Sequence, residues 1–500
     1  MSPRSTPSAR FSARAIPLFA ALLVASASTA APWPFDTLFG EPSLEEQATQ
    51  LLSEAIQTQT VNPPGREQDL ARLFADALDR AGLETEVIET PQADGALETA
   101  RPRAAVWARL RGQGDRPALI LLSHLDTVPA HRPDWSVDPY AGKIWDGFVW
   151  GRGALDAKGV GVTHLMTLIE LARSEIPLDR DIIFLATPDE ETGGRLGAGW
   201  LAANRPDLVE GAGYLLTEGG GIQIGSKVET ERPPVWGVTL TEKAPCWLEL
   251  RAKGRAGHSS SPAPDAAVPR LIAALDRIRR AESPIRVLGE VQRMFSALAP
   301  LAPNWDRAGF DDLAATLESD DAFRRRFLGN PGQNALVRNT VSITVLEGAP
   351  KTNIAPSVAR AQLDARLLPG ESCSDFSAAL AELIDETSIE IEEILSFPAA
   401  ASTSDTPLYR AIERLAARNA RPGLVVPRMI GGFTDAHWFR EMGIVAYGFV
   451  PRALASEDAR RVHGTDERMS IEALVNSIQL SVELVREFDA LETAEAVASK

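Results

Sequence analysis

The chain has 500 residues, of which 44% are hydrophobic and 24% are charged, a composition typical of a soluble globular protein. It carries 51 basic and 68 acidic residues, a net charge of −17, which argues against a nucleic-acid-binding surface because such surfaces are basic. The two cysteines, Cys246 and Cys373, are too few for a disulfide framework, and they can form one bridge or remain as two thiols.

The N-terminus has the pattern of a secretory signal peptide. Arginines precede an apolar run over residues 15–27, and small residues follow at 28–30, which gives the charged, apolar and cleavage regions of such a peptide. The apolar run is shorter than the roughly 20 residues that cross a bilayer. We therefore predict that residues 1–31 are removed and that the protein is exported, to a periplasm or to the medium. An uncleaved membrane anchor is the alternative.

After the N-terminal segment, apolar runs alternate with helical patterns, which is typical of an α/β sheet with both faces covered. Residues 118–122, Ala-Leu-Ile-Leu-Leu, predict a strand that is buried on both faces. A helix is expected over 160–174, and further buried strands over 181–186 and 211–216. This succession predicts an α/β domain with a mainly parallel central sheet.

Around residue 242 the pattern changes to apolar and polar residues in alternation, which is typical of strands with one solvated face. The elements that follow have the order β-α-β-β-α-β, the order of a ferredoxin-like unit. We predict that residues 242–398 form an α+β domain inserted into the α/β domain, whose two segments are then 42–241 and 399–495. Residues 282–336 contain several prolines and are predicted to be an irregular insertion.

A histidine and an aspartate follow the first buried strand. In open α/β sheets, ligands bind at the carboxyl ends of the strands, and Ser-His-Leu-Asp occupies residues 123–126 at that place. His124 can offer a neutral imidazole to a metal ion, and Asp126 can orient that imidazole. The alternative is a turn histidine beside a capping aspartate.

Further carboxylates occur in similar positions. Asp156 lies in the glycine-rich loop 151–159 before a helix, where helix capping is its alternative role; a phosphate-binding loop is excluded because the GxxxxGK[ST] pattern is missing. Glu190 and Glu191 follow the next buried strand, and their alternative is a solvated acidic turn. Glu218 ends another strand.

The chain has six histidines. His124 and His463 accompany the carboxylate motifs, and His258 lies in a Gly-His-Ser-Ser segment. The remaining three are interpreted as structural: His131, His164 and His437. Each motif alone has an ordinary explanation, but their occurrence together, in order and at successive strand ends, indicates a site.

The motifs together resemble those of the dinuclear zinc peptidases that include carboxypeptidase S, glutamate carboxypeptidase and aminoacylase. The resemblance covers about residues 45–490, and it is strongest to the subgroup of carboxypeptidase S and the N-fatty-acyl-amino-acid hydrolase/synthases. The matching segments are SHLDTVPA, WSVDPYAGKIWDGFVWGRGALDAKG, PDEETGG, TEGG, AGHSSSP, NTVSITVLEGAPKTNIAPSVARAQLDARLLPG, GGFTDAH and RVHGTDERMS.

The resemblance implies two zinc ions per subunit, with cobalt or manganese as substitutes. His124 and Glu218 would bind one ion, Glu191 and His463 the other, and Asp156 would bridge the two. Asp126 would orient His124, as the residues themselves suggest.

The resemblance also assigns roles around the metal ions. Glu190 would be the general base for a water activated between them, and His258, from an inserted domain that acts as a lid or dimerisation domain, would stabilise the oxyanion. Arg366 and Asn353 would bind the free carboxylate of the substrate, and Gly432 would line the pocket. The alternative for Arg366 is a surface charge on an alternating strand.

We therefore expect a zinc-dependent hydrolase that cleaves a C-terminal peptide or N-acyl amide bond and releases a free amino acid. An N-fatty-acyl-amino-acid hydrolase/synthase is the alternative, and a catalytically silent binding protein of the same fold is a remote one. The apolar residues of 282–336 could line an acyl channel, although we predict that they form a core of their own. The expected partners are a small peptide or N-acyl amino acid, with no nucleic acid, no membrane span in the mature chain, and a second copy bound through the inserted domain.

Overall fold

The computed structural model of the protein describes residues 42–92, 102–224 and 232–498. The predicted signal peptide, residues 1–31, lies outside them. Within the described part of the chain, no helix combines the length and the apolar character that crossing a bilayer requires. The described residues from Leu44 onward belong to one compact unit.

The described residues contain fifteen α-helices and nineteen strands. The helices are α1 Leu44–Gln57, α2 Gln68–Arg80, α3 Lys158–Arg173, α4 Ala198–Asn204, α5 Ala267–Arg280, α6 Gly289–Leu298, α7 Asn304–Asp311, α8 Leu313–Ser319, α9 Asp321–Gly329, α10 Pro331–Leu336, α11 Cys373–Ile384, α12 Pro407–Arg418, α13 Ala436–Glu441, α14 Ser456–Ala459 and α15 Ile471–Ala498. The strands are β1 Glu84–Thr90, β2 Arg103–Leu110, β3 Arg116–His124, β4 Lys143–Trp145, β5 Phe148–Trp150, β6 Arg180–Thr187, β7 Ala212–Thr217, β8 Gly221–Ile224, β9 Val235–Glu242, β10 Ala244–Lys253, β11 Gly257–His258, β12 Thr340–Glu347, β13 Ile354–Ala355, β14 Val358–Leu367, β15 Ile389–Ser396, β16 Leu424–Ile430, β17 Val445–Gly448, β18 Ala453–Ala455 and β19 Arg468–Ser470.

Ten strands form a mixed sheet in the order β1-β2-β6-β3-β7-β17-β9-β8-β18, with β16 beside β9. Its centre, β6-β3-β7-β17, is parallel, whereas β1 and β2 pair antiparallel at one edge. Strand β3 is buried on both faces: Leu119 and Leu121 belong to the core on one side of the sheet, and Ile120 and Leu122 to the core on the other. The predicted α/β class with covered faces is confirmed.

A second sheet contains four antiparallel strands in the order β12-β14-β10-β15. With α5 and α11 between its strands, it has the expected ferredoxin-like topology. Its core includes Leu248, Leu271 and Leu363, which pack strands β10 and β14 against α5. Cys246 of β10 and Cys373 of α11 are joined by a disulfide, with their Cα atoms 5.3 Å apart, so the pairing that the sequence left open is present.

The prediction of an irregular insertion over 282–336 is wrong, because this segment forms helices α6 to α10. The prolines that suggested irregularity lie where a helix accepts them. Pro331 is the first residue of α10, and Pro303 directly precedes α7. A proline there loses no hydrogen bond, since the first N–H groups of a helix have no partner within it.

The apolar residues of these helices form a core rather than the wall of an acyl channel. Val291, Phe295 and Phe327 are buried together with Val426 and Met429 of β16. The core is therefore not private to the insertion, since it attaches the helices to a strand of the large sheet.

Candidate metal centre

Two groups of ligand atoms share Asp156. His124, Asp156 and Glu218 form one group, and Asp156, Glu191 and His463 form the other; within each group the ligand atoms all lie within 4.8 Å of one another. Imidazole nitrogens and carboxylate oxygens are the donors that zinc and related divalent ions accept. The five residues therefore fit a centre for two metal ions with Asp156 between them.

The fold brings these ligands to one edge of the large sheet. His124 is the last residue of β3, Glu218 directly follows β7, and Glu191 lies in the turn after β6. Because β6, β3 and β7 are parallel neighbours, their carboxyl ends meet, which is where such sheets bind ligands. Asp156 lies just before α3, in the glycine-rich loop, and completes both groups.

The two imidazoles engage different oxygens of Asp156. His124 Nε2 lies 2.9 Å from Asp156 Oδ1 and 3.4 Å from Glu218 Oε1. His463 Nε2 lies 3.2 Å from Asp156 Oδ2 and 3.2 Å from Glu191 Oε2. One carboxylate with each oxygen directed to a separate ligand set is the arrangement that a bridging ligand needs.

The electrostatics of the centre favour a bound positive charge. Burial by itself lowers the pKa of His124, but the carboxylates of Glu218 and Glu190 outweigh it, and the net pKa is well above the usual value. Burial raises the pKa of Glu218 to about 7 and also raises that of Glu191. Carboxylates crowded away from water destabilise one another's charge, and a metal cation compensates this repulsion.

Glu190 is buried beside the ligand groups without belonging to either. Its Oε2 lies 3.9 Å from His124 Nε2, and burial raises its pKa well above the usual range. A carboxyl group that is held near reacting atoms with a raised pKa can accept and return a proton near neutral pH.

Asp126 is fully buried and connects both ligand loops. Its Oδ1 lies 3.3 Å from His124 Nδ1 and accepts the backbone N–H of Glu190 at 3.2 Å. Its Oδ2 accepts the backbone N–H of Glu191 at 3.1 Å and the side chain of Asn62 at 2.8 Å. The structure therefore places Asp126 where it can orient the imidazole of His124 and the loop with the proposed base.

Sequence reasoning missed the residues behind Asp126. Arg103 donates from Nη2 to Asn62 Oδ1 at 2.5 Å and from Nη1 to Asp189, and the three side chains are buried. In the sequence, Asn62 appears only as part of the Asn-Pro-Pro-Gly helix break. The one available signal was a polar residue between a helix and two prolines, which does not reveal a partner that lies far away in the chain.

Glu467 was also missed, although it belongs to the same motif as His463. Its Oε1 accepts the backbone N–H groups of Leu155 at 2.7 Å and Asp156 at 3.1 Å. Its Oε2 accepts Arg152 Nη1 at 2.7 Å. One short segment thus contains the candidate ligand His463 and also a carboxylate that holds the loop with Asp156 in place.

The turn after β6 requires glycine at residue 194. Gly194 has φ of +68°, and a Cβ there would lie 2.1 Å from Asp435 Oδ1. Asp435 accepts the hydroxyl of Thr187 at 2.6 Å, so its carboxylate is held in that place. The Pro-Asp-Glu-Glu-Thr-Gly-Gly string therefore encodes the turn as well as its acidic residues.

A cavity of about 390 Å³ adjoins the metal centre. The described residues that line the cavity all lie outside residues 244–396. They include the glycines 219–221 and also Gly432, which was expected in the pocket wall. Two arginines, Arg428 and Arg452, also line it. The small sheet and its helices add no residue to this lining.

His258 and Asn353 lie together on a separate ribbon. Strand β11, which contains His258, pairs with β13, and the backbone N–H of Ser259 donates to Asn353 O at 3.3 Å. Both residues are exposed, and the imidazole Nδ1 of His258 lies 2.8 Å from Ser260 Oγ. Neither residue lines the cavity in this conformation, so the structure does not bring them to the metal ligands.

Arg366 is held between the two domains. Its Nε and Nη2 donate to Asp364 at 2.6 and 3.1 Å, and its guanidinium lies 4.9 Å from the ring centre of Phe433, which lines the cavity. Its Nη1 is buried without a hydrogen-bond partner among the described residues.

The chain is similar to known proteins in sequence and in fold. The model of peptidase family M20/M25/M40 matches residues 120–487. The N-fatty-acyl-amino acid synthase/hydrolase of Homo sapiens is 26% identical over 384 residues, which cover 75% of this chain and 76% of the human protein. Aminoacylase-1 of Homo sapiens is 24% identical over 454 residues, covering 89% and 96%. The crystal structure of an M20 family metallo-carboxypeptidase from Sulfolobus solfataricus superposes with a TM-score of 0.68 at 17% identity, covering 90% of this chain and all of that one, and shows the same fold.

Proposed function

The chain belongs to peptidase family M20/M25/M40, and we propose that it is a dizinc hydrolase that cleaves a peptide or N-acyl amide bond and releases a free amino acid. The observation that carries the proposal is the pair of ligand groups that share Asp156, with the buried carboxyl of Glu190 beside them. Two imidazoles and three carboxylates form a donor set suited to zinc, although cobalt or manganese can occupy such sites.

Under this proposal, Glu190 transfers protons during the reaction and Asp126 holds Glu190 in position. Two bound divalent cations would activate a water molecule and polarise the scissile carbonyl. Glu190 takes a proton from the attacking water as the C–O bond forms, and it delivers that proton to the amide nitrogen as the C–N bond breaks. Asp126 keeps Glu190 in place through the hydrogen bond from its backbone N–H.

Recognition of the leaving amino acid is proposed to involve the inserted domain. The Nη1 amino group of Arg366 has no hydrogen-bond partner among the described residues, and the guanidinium lies against Phe433, which lines the cavity; a guanidinium is suited to a carboxylate. Asn353 and His258 are exposed, and approach of their ribbon, from the same subunit or a second one, would add an oxyanion donor. Such closure is common where a site lies between domains.

The N-fatty-acyl alternative has its own support. A relative named for this activity covers three quarters of the chain, and the cavity includes apolar side chains, among them Ile222, Ile430 and Leu454. These residues could accommodate part of an acyl chain. Both directions, synthesis and hydrolysis, are open to the same test.

We also propose that the protein is exported after removal of residues 1–31. The signal-peptide pattern and the Cys246–Cys373 disulfide support this, because such bonds persist mainly in oxidising compartments. N-terminal sequencing of the exported protein should begin near residue 32. An intact N-terminus in a membrane fraction would instead indicate an anchor.

Dimerisation through the inserted domain is a further proposal. Strand β12 is an edge of the small sheet, and its Ile343 and Leu346 are exposed; edge strands with apolar side chains readily pair with another chain. Sedimentation analysis should show a dimer that Leu346→Lys weakens, whereas a monomer at all concentrations would contradict the proposal.

The function is tested with amino-acid release from N-acetyl, N-oleoyl and N-benzyloxycarbonyl-glycyl substrates, with zinc and with chelator. Glu190→Gln should lower kcat by about 10²- to 10⁴-fold and keep both metal ions, as measured by elemental analysis. Glu382→Gln, at an exposed glutamate of α11, is the matched control.

The acyl group preferred by the wild type then distinguishes a peptidase from a fatty-acyl hydrolase. Folded, zinc-loaded protein that releases nothing from any substrate would favour the silent binding protein.

A further inference from the structure

Arg428 of β16 is a charged side chain without a partner in the cavity of the metal centre. It lines the cavity and is partly buried, but it makes no hydrogen bond or ion pair with residues 42–92, 102–224 or 232–491. Burial lowers the pKa of its guanidinium, and no charged neighbour contributes to the shift. Arginine nevertheless keeps its proton in proteins, so this wall of the cavity carries an uncompensated positive charge.

The other arginines near the cavity differ from Arg428 in this respect. Arg452 donates to the backbone oxygen of Leu155 at 2.8 Å, and although burial lowers its pKa, the carboxylates of Asp156 and Glu218 act against that change. Arg366 is paired with Asp364. Arg428 alone among the three has its whole guanidinium available for an anion.

The backbone around Arg428 is built to keep the guanidinium in this place. Arg428 lies across Gly237 of β9, where a Cβ would come within 2.4 Å of Arg428 Cδ and 3.0 Å of Nη1. Gly237 pairs in turn with Gly221 of β8, which also lines the cavity. The missing side chain of Gly237 thus leaves the space that the arginine side chain occupies.

Arg428 lines the cavity, whereas Arg366 does not line it but lies against Phe433, a residue that does. Arg428 comes five residues before Phe433, the ring against which Arg366 lies at 4.9 Å, and Ile430 and Gly432 line the cavity between them. The two guanidinium groups belong to separate places, one on β14 beside the ring of Phe433 and one on β16 in the cavity. A molecule with two carboxylates could engage both.

We propose that Arg428 binds a second carboxylate of the substrate, so that this enzyme prefers acidic peptides or N-acyl amino acids. The inference rests on the proposed hydrolase function and names its substrate class. An unpaired charge in a partly buried cavity is costly, and a charge-assisted hydrogen bond to a substrate carboxylate removes that cost. Arg428 acts here in specificity and not in bond cleavage.

The test compares acidic substrates with neutral ones of the same shape. One pair, N-acetyl-glutamate and N-acetyl-glutamine, varies the leaving amino acid; the other, N-succinyl-alanine and N-succinamoyl-alanine, varies the acyl side. Wild type should favour the acidic member of one pair. Arg428→Met should lower kcat/KM for that member about 10- to 100-fold and change its neutral counterpart less than about twofold. Arg428→Lys should keep part of the preference, and Arg325→Met, at an exposed arginine of α9, is the charge-matched control.

A binding measurement separates this inference from the proposed function. Calorimetry with N-acetyl-glutamate and N-acetyl-glutamine on metal-loaded Glu190→Gln protein needs no turnover, and adding Arg428→Met should remove the difference in affinity between them. Arg428→Gln replaces the Met variant if that one does not fold. Equal losses on acidic and neutral substrates, or an acidic preference that survives both variants, would overturn the inference while leaving the hydrolase function intact. Arg428-dependent binding without any hydrolysis would overturn the function and keep the inference.

Discussion

The carboxyl edge of the large sheet and the β11/β13 ribbon of the inserted domain contain the two halves of the expected site, and they differ in how firmly their side chains are held. At the sheet edge, His124, Asp126 and Glu190 are buried and joined by hydrogen bonds. On the ribbon, His258 and Asn353 are exposed and contact their own segment. The fold itself therefore brings the candidate metal ligands together, whereas under our proposal the inserted domain moves, or comes from a second copy, before its residues reach the substrate.

The largest effect on metal content and activity should come from replacing Asp156, which both ligand groups share. Asp156→Asn removes the charge that both imidazoles engage, so we expect loss of both metal ions and activity no higher than that of chelated wild type. Elemental analysis and amino-acid release measure the two results. Asp115→Asn, at an exposed aspartate, should behave as wild type. A variant that retains two ions would show that Asp156 does not bridge them.

The ribbon is tested by His258→Ala. If the ribbon reaches the substrate, kcat should fall about 10²- to 10³-fold, the usual cost of a lost oxyanion donor, with metal content unchanged. Ser259→Ala, next to it on the same ribbon, should leave kcat near that of wild type. An unaltered kcat for His258→Ala would mean that the sheet edge performs the reaction without the inserted domain.

A smaller effect, on zinc affinity, should follow from removing a hydrogen bond to Asp126. Asn62→Ala removes the hydrogen bond to Asp126 Oδ2 and leaves Arg103 without that partner. Residues behind metal ligands typically contribute 10- to 100-fold in affinity or activity, so we expect a loss of that size in zinc affinity, measured by competition with a chelator. Asn62→Asp keeps an oxygen for Arg103 but places a second carboxylate against Asp126 Oδ2, so it should lose at least as much zinc affinity as the alanine variant; unchanged affinity in both would place the support of Asp126 elsewhere.

The contact between α13 and the residue that follows β15 should lose stability in acid. His437 stacks on Phe397 with ring centres 3.6 Å apart, and burial lowers its pKa from 6.5 to about 4. The unfolded chain then binds more protons between these values, so stability is lost as pH falls from 6.5 towards 4, by about 3 kcal/mol. Denaturant unfolding at several pH values should show this slope reduced in His437→Phe and unchanged in His131→Phe. The same slope in both variants would contradict the assignment.

The sequence predicted the α/β class, and a cluster of polar residues at one edge of its sheet, for a physical reason. Apolar runs buried on both faces identify parallel strands, and the polar residues that end them meet at one edge, so His124, Glu191 and Glu218 could be expected near one another without coordinates. Their division between two metal ions came from the resemblance. Arg103 and Arg428 could not, because their roles depend on partners, or on the lack of them, across distant segments. The helices of 282–336 were missed because prolines in a first turn look the same in sequence as prolines that break a helix.

The most direct test of the central claim is anomalous diffraction at the zinc edge from crystals of the zinc-loaded protein. The account predicts two peaks, one on each side of the Asp156 carboxylate, with His124 and Glu218 around the first and His463 and Glu191 around the second. A single peak, or zinc bound away from Asp156, would contradict a dinuclear hydrolase built on these five residues.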